Sequence, residues 1–333
     1  MQSFEKYNKM NTSCTYLGLT LKNPIIVSSS PLTGNTESIV KCAKAGAGAI
    51  VLKSIFEEQI LADVKKEESY SDIYDSHPEM SQYLSNFVRG NEIEIYTKLI
   101  REAKAAIDIP VIASINCTDK GEWISFAKNF QDAGADAIEL NIAISPFEYS
   151  LEPHAIEEEY IEILKQVEKN VSIPVSVKIG SHFTNICNMA FRLANSGAKG
   201  IVLFNRFFNP DFDIENLKVV SGNSISANEE NSTTLRYVTL LKGQDIPCDI
   251  SAATGIYNGK DVIKQILAGA STVQLCSSLY KNGLDQISAI LDTLTDWMQR
   301  HNYSSIADFK GKLCKGNNSS MERMQYLRRN SEQ

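Results

Sequence analysis

The feature that most constrains this chain is a strict alternation of two kinds of apolar segment. Four segments are a proline followed by a short apolar run: NPIIVSSS from Asn23, IPVIASIN from Ile109, IPVSVKIG from Ile173 and IPCDISAA from Ile246. Four others are a small Gly-Ala turn followed by an apolar run: AGAGAIVLKS from Ala45, AGADAIELNI from Ala133, SGAKGIVLFN from Ser196 and AGASTVQLCS from Ala268. Short apolar runs bounded by Gly and Pro read as buried strands. The intervals carry amphipathic helical patterns at Thr36 to Ala45, Ile93 to Ile107, Glu122 to Ala133, Glu157 to Glu168 and Val262 to Leu267.

Eight alternating β and α units predict a parallel sheet covered by helices, closed as a TIM (β/α)8 barrel. The rival, an open doubly wound sheet, should carry G-x-G-x-x-G after its first strand. The nearest match, Gly46-Ala47-Gly48, precedes the second strand and has Val51 where the third glycine belongs, so it reads as a tight turn. The expectation is one domain over residues 1–333, with a core at about 15–300 and a C-terminal extension at 301–333. Long loops are expected after strand two (Phe56 to Asn91), strand four (Ser145 to Pro153) and strand six (Arg206 to Asn231), on the face that carries barrel chemistry. The first is acidic, with Tyr70, Tyr74 and Tyr83 interleaved, and could be a lid, an interface element or a solvated excursion.

Charge narrows the partners. Lys and Arg number 33 against 40 Asp and Glu, a formal net charge of −7, and an acidic surface repels nucleic acid and anionic lipid. The first twenty residues hold no signal-peptide core and no later stretch is apolar enough for a membrane span, which predicts a cytoplasmic protein. The seven cysteines contain no CxxC for zinc, an iron–sulfur cluster or a redox dithiol.

The residues that end the strands are consistently polar: Ser28, Ser29 and Ser30; Lys53 and Ser54; Asn116; Asn141; Lys178; Asn205; Thr254 and Gly255; Ser277 and Ser278. A lysine ending a buried strand must reach solvent or an anion, and two lysines with three asparagines on one rim point to a binding site. Thr254-Gly255 and Cys276-Ser277 place small residues and free backbone N–H groups where barrels commonly hold a phosphate. His77, His154, His182 and His301 end no strand; His182 is expected to begin a helix.

At these residues the sequence resembles the dihydroorotate dehydrogenase family of FMN-containing barrels, and more closely its divergent dihydroorotate dehydrogenase-like branch. The likeness runs through NPIIVSSSP, GAGAIVLKS, ELN, PVSVKIG, TGIYNGKDVIKQILAGASTVQLCSSLYKNG and SIADFKGKL, with LFNRFFNPDFDIENL and MERMQYL similar to the divergent branch. The resemblance implies FMN. Ser28 to Ser30 would line the flavin, Lys53 and Ser54 would approach the isoalloxazine edge, and Asn116 and Asn141 would hydrogen-bond the ring. Lys178 would face N1 and the C2 carbonyl as a preplaced cation, Asn205 would complete the floor, and Thr254, Gly255, Cys276 and Ser277 would hold the phosphate.

The departures bear on the substrate. The family's loop after the fourth strand runs Asn-Leu-Ser-Cys-Pro-Asn, its Cys or Ser being the base. Here it runs Asn141-Ile142-Ala143-Ile144-Ser145-Pro146-Phe147. Ile144 cannot accept a proton, so Ser145, one residue further on, is the candidate base, with Lys53 and Lys178 as the other catalytic candidates. Phe147 replaces the second Asn, and Arg206 stands where the family has a small hydroxyl residue, which would favour a carboxylate. Lys53, Asn141, Asn205 and Arg206 are therefore the expected substrate contacts. The resemblance implies hydride removal from dihydroorotate or a related small carboxylated substrate, with fumarate or another soluble acceptor reoxidising the flavin, in a homodimer. Two other readings stay open: a lyase or aldolase in which Lys178 or Lys53 forms a Schiff base, and a flavin-binding subunit without dehydrogenase activity.

Overall fold

The computed structural model describes residues 10–56, 78–117, 120–144, 149–207 and 209–314, with the backbone alone described for 78–89 and 120–121. Its strands are β1 (Cys14–Tyr16), β2 (Leu19–Leu21), β3 (Ile25–Val27), β4 (Ala49–Val51), β5 (Ile55–Phe56), β6 (Val111–Asn116), β7 (Ala137–Asn141), β8 (Val175–Ile179), β9 (Gly200–Leu203), β10 (Pro210–Asp213), β11 (Lys218–Ser221), β12 (Asp249–Ala252) and β13 (Thr272–Leu275). The helices are α1 (Thr36–Lys44), α2 (Pro78–Ala106), α3 (Lys120–Asp132), α4 (Pro153–Glu168), α5 (Ile186–Asn195), α6 (Asn231–Gly243), α7 (Gly259–Ala268), α8 (Ser277–Asn282) and α9 (Gln286–Arg300).

The parallel sheet runs β4-β3-β13-β12-β9-β8-β7-β6 and closes on itself where β6 pairs with β4 through Ile50↔Val111 and Val51↔Ile112. Closure excludes the open-sheet rival, and all eight expected strands are present in the expected places. The Gly46 turn, at φ +109°, joins α1 to β4 as a tight turn should. Elsewhere the structure differs from expectation. α2 begins at Pro78, inside the segment read as a loop after strand two, and residues 57–77 lie outside the described part. The loop after β9 holds its own antiparallel hairpin, β10 with β11. His182 precedes α5 by four residues, because Asn185 takes the N-cap, its side chain accepting from the Asn188 N–H (3.0 Å).

Pleat parity organises the interior, since successive side chains point to opposite faces. Outward residues such as Ile25, Val27, Ile50, Ile138, Leu140, Val177 and Leu203 pack beneath the helices in the main core. Inward Ile26, Ala49, Val51, Ile112 and Ala137 form a separate small cluster with Tyr16, Leu17 and Leu21 of the β1–β2 hairpin. The hairpin thus stoppers the N-terminal end of the barrel; Leu17 N–H donates to the Asp249 carboxylate at the start of β12 (2.9 Å). Two residues further along, the same inward parity presents Ser28, Ser114, Glu139 and Ser176, and two beyond that Asn116, Asn141 and Lys178. The barrel is apolar at its base and polar towards its mouth.

Residues 301–314 pack back onto the body. Gly311 and Leu313 donate backbone hydrogen bonds to Ile266 and Leu267 of α7, and Phe309 and Tyr303 lie against Trp297 of α9. No helix among the described residues is long and apolar enough to cross a membrane.

Phe130 of α3 is fully buried and stacks on Tyr96 of α2 with ring centroids 4.3 Å apart. Phe130→Ala should therefore cost about 3–5 kcal/mol of unfolding free energy, read as a lowered urea midpoint, whereas Phe130→Leu should cost clearly less.

Candidate active site

At the C-terminal ends of the strands lies a cavity of about 250 Å³, lined among others by Ser28, Ser29, Lys178, Asn205, Gly255 and Ser277. A second, of about 280 Å³, shares Phe204, Asn205, Arg206 and Thr254 with it. A larger cavity of about 650 Å³ opens at the opposite end, around Pro174, Lys199 and Asp249. In barrels that end serves stability while chemistry sits at the mouth, so the smaller pair is the site to read.

Lys178 enters it from β8 with its side chain 11% exposed. Its Nζ donates to Ser28 Oγ (3.4 Å) and stands 4.0 Å from Glu139 Oε1. Ser28 Oγ donates to Gln274 Oε1 (3.0 Å), and Gln274 Nε2 donates to Glu139 Oε2 (2.6 Å). Burial pushes the Glu139 carboxyl up, while the Lys178 ammonium and the Gln274 amide pull it back. The sequence reading passed over Glu139 and Gln274. Their signal is parity: each is two residues before a rim position, Asn141 or Cys276.

The other rim residues separate into groups. Ser54 N–H donates to Ser29 Oγ (2.8 Å), the two hydroxyls are 3.0 Å apart, and Ser54 Oγ lies 2.6 Å from Ser114 Oγ. Asn205 Nδ2 donates to Asn141 Oδ1 (2.7 Å), so two of the three asparagines meet; Asn116 is buried at the end of β6. Ser30 is buried and its carbonyl accepts from Thr33 Oγ1 (2.9 Å). Lys53 is exposed, its stem running past Gly34, and it does not line the cavity that holds Lys178. The two rim lysines are not brought together.

The expected phosphate turns do converge. Thr254 and Gly255 adopt consecutive left-handed conformations, φ +73° and +75°, and Thr254 Oγ1 donates to Phe204 O (3.0 Å). A Cβ on Gly255 would stand 2.2 Å from Asn231 N, so only glycine fits. Ser226, from the loop after β11, was not anticipated: its Oγ accepts from Gly255 N–H (3.2 Å) and lies 2.9 Å from Ser277 Oγ, which also accepts from Ser226 N–H (3.0 Å). Cys276 lines the same cavity as this turn and Lys178. Burial raises its thiol, with the Lys178 ammonium and Ser30 opposing.

Arg206 lines both cavities, but its Nε donates to Glu230 Oε2 (3.0 Å) and its Nη1 to the carbonyls of Asn223 (3.2 Å) and Ser224 (3.0 Å). Its charge is met by a carboxylate of the protein itself. Ile144 packs partly buried on the core, and Tyr160 donates its hydroxyl to Ile142 O (3.1 Å), pinning the start of this loop. Ser145 and Phe147 lie outside the described residues.

Residues 80–298, more than half the chain, match the family model described as dihydroorotate dehydrogenase. The chain belongs to the dihydroorotate dehydrogenase family. Similar proteins include the dihydroorotate dehydrogenase B (NAD(+)) catalytic subunits of Methanocaldococcus jannaschii (27% identical, covering 86% of this chain and 92% of that one) and Thermoplasma volcanium (29%; 91% and 98%). The dihydroorotate dehydrogenase A (fumarate) of Lactobacillus delbrueckii subsp. bulgaricus is 25% identical over 91% of this chain and 99% of its own.

Dihydroorotate dehydrogenases are generally flavin-dependent, and the residues at this mouth fit such a group. The left-handed turn at Thr254 and Gly255 has no room for a Cβ at Gly255, whose N–H donates to Ser226 Oγ, while a desolvated ammonium and paired amides stand beside it.

Gly255→Ala tests the cradle. The added Cβ meets backbone at a positive φ, and the variant should lose about 1–3 kcal/mol, measured by thermal unfolding, with no change in helix content by circular dichroism.

Proposed function

We propose that this chain is an FMN-dependent dehydrogenase, one barrel domain throughout, that oxidises dihydroorotate or a closely related carboxylated substrate in the cytoplasm. The observation that carries the reading is Lys178: an ammonium held almost out of water at the barrel mouth, pointing into a cavity whose far side is the Thr254-Gly255 and Cys276-Ser277 turns. FMN, when bound, supplies the hydride acceptor. Its phosphate would be held by the backbone amides at Thr254, Gly255, Cys276 and Ser277; the Ser226 hydroxyl marks the direction in which the Gly255 donor faces. That arrangement suits an acidic protein, because dipoles rather than a basic patch meet the anion.

Ser28, Ser29, Ser30 and Ser54 would line one edge of the ring, and Asn116, Asn141 and Asn205 would offer amides to the ring and the substrate. Lys178, already oriented and nearly dry, would stabilise negative charge on the bound flavin with little reorganisation. Lys53 would approach from the solvent side. Arg206, which lines the cavity and is tied to Glu230, would contact a substrate carboxylate. Ser145 is the proposed proton acceptor, in place of Ile144. The names of the relatives include both NAD(+) and fumarate types; a soluble acceptor and a homodimer complete the proposal.

A visible spectrum of the purified protein and anaerobic titration with dihydroorotate test it. Flavin absorbance that bleaches on titration is the expected result; flavin that dithionite bleaches and dihydroorotate does not would overturn the substrate. Lys178→Ala should slow bleaching by about 100- to 1,000-fold, the scale of losing one preplaced charge, and Ser145→Ala by at least about tenfold, both in stopped flow. A borohydride-stable carbonyl adduct on Lys178 would instead assign Schiff-base chemistry.

A further inference from the structure

We propose that Glu139, oriented by Gln274, is a positioning residue for Lys178, its carboxylate supplying the counter-charge that fixes the ammonium at the mouth. The inference rests on the reading of Lys178 as the cation beside the flavin. Glu139 lies in β7, whose register sets it opposite Ser176 and sets Asn141 opposite Lys178, so the carboxylate sits one inward layer below the lysine on the neighbouring strand. It is wholly buried. Oε2 is satisfied by Gln274, but Oε1 accepts no hydrogen bond, and the cation it faces is Lys178 at 4.0 Å.

A buried carboxylate oxygen without a donor costs free energy that packing alone does not return. The inward residue one layer below, Ala137, shows what β7 carries where only space is to be filled. The hydrogen bonds also have a direction. Gln274 gives its N–H to Glu139 and its oxygen to the Ser28 proton, which leaves Ser28 only lone pairs for the Lys178 ammonium. Residues of β7, β13 and β8, with Ser28 just past the end of β3, thus close one ring of polar contacts in which both charges have assigned partners.

Other groups face the pair. Tyr16, from the hairpin beneath, and Tyr96, from α2, feel the Glu139 charge; burial pushes both phenols up, so both stay neutral and neither competes as a counter-ion. Cys276 faces Lys178 with its thiol raised by burial, and is likewise neutral at pH 7. Among the described residues, Lys178 is the cation whose charge opposes the burial of Glu139.

The test is the titration of Lys178 in the full-length chain, with and without FMN, by trace acetylation with acetic anhydride and mass spectrometry of the Lys178 peptide between pH 6 and 11. Removing a negative neighbour disfavours the charged amine, so Glu139→Gln should move the Lys178 midpoint down by about one pH unit or more. The swap Glu139→Gln with Gln274→Glu, which returns the charge from across the bore on β13, should move it back up. An unchanged midpoint in a Glu139→Gln protein with native circular dichroism overturns the proposal. If FMN shields Lys178 from acetylation while the midpoint stays put, the flavin reading stands and the positioning role falls; if the midpoint moves and FMN gives no shielding, the reverse holds. Should Glu139→Gln not fold, Lys178→Met carries the test. Without its cation the folded Glu139 carboxyl is raised further above its unfolded value, so stability should fall with rising pH from about 4.3 upward more steeply than in the parent. Parallel stability curves would overturn the assignment.

Discussion

Closing eight strands into one sheet leaves an interior that only every second side chain can enter, and everything at the mouth follows from that constraint. Ala137, Glu139 and Asn141 occupy three successive inward positions of β7, and Ser176 and Lys178 two of β8. The same backbone alternation that hides Ile138, Leu140 and Val177 beneath the helices therefore stacks a small residue, a carboxylate and an amide in the bore. The base of the barrel is filled by the β1–β2 hairpin and a handful of aliphatic residues, so the polar layers above it are closed from below and open only at the C-terminal end.

This layering is what the proposed anion site of an acidic protein would rest on. Among the described residues lining the cavity at the mouth, Lys178 is a desolvated ammonium 4.0 Å from Glu139, and the proposed site would draw its remaining attraction from backbone N–H groups at two turns. Arg206 adds no free cation, because Glu230 and two carbonyls hold it. Charge is thus met locally and in pairs, Lys178 by Glu139 and Arg206 by Glu230.

Legibility in the sequence varied with the range of the interactions involved. The eight strands were readable because the Pro-led and Gly-led runs are local signals: NPIIV, AIVLK and AIELN each declare burial on both faces. Helices α1 and α3 appeared nearly at their observed limits for the same reason. The stretch after strand two was read as a loop because its composition is acidic and uneven, yet α2 begins at Pro78. The hairpin of β10 and β11 does not show in the sequence, its residues being exposed and its apolar pair, Phe212 and Val219, lying outside the core.

The rim residues were legible as a set and not as partners. That Ser28, Asn141, Lys178, Asn205 and Gly255 end strands follows from the chain alone, and so does the Asn141-to-Phe147 departure from the family pattern. That Asn205 bonds Asn141, that Ser226 folds over Gly255 and Ser277, that Lys53 stands apart from Lys178, and that Arg206 meets Glu230 depend on barrel circumference and loop path. Glu139 and Gln274 lie 135 residues apart and meet only because β7 and β13 face each other across a closed bore. Local sequence determines which residues are buried and which way each points, since pleat and propensity act over a few bonds; who meets whom across the interior is decided by closure, which no short segment contains.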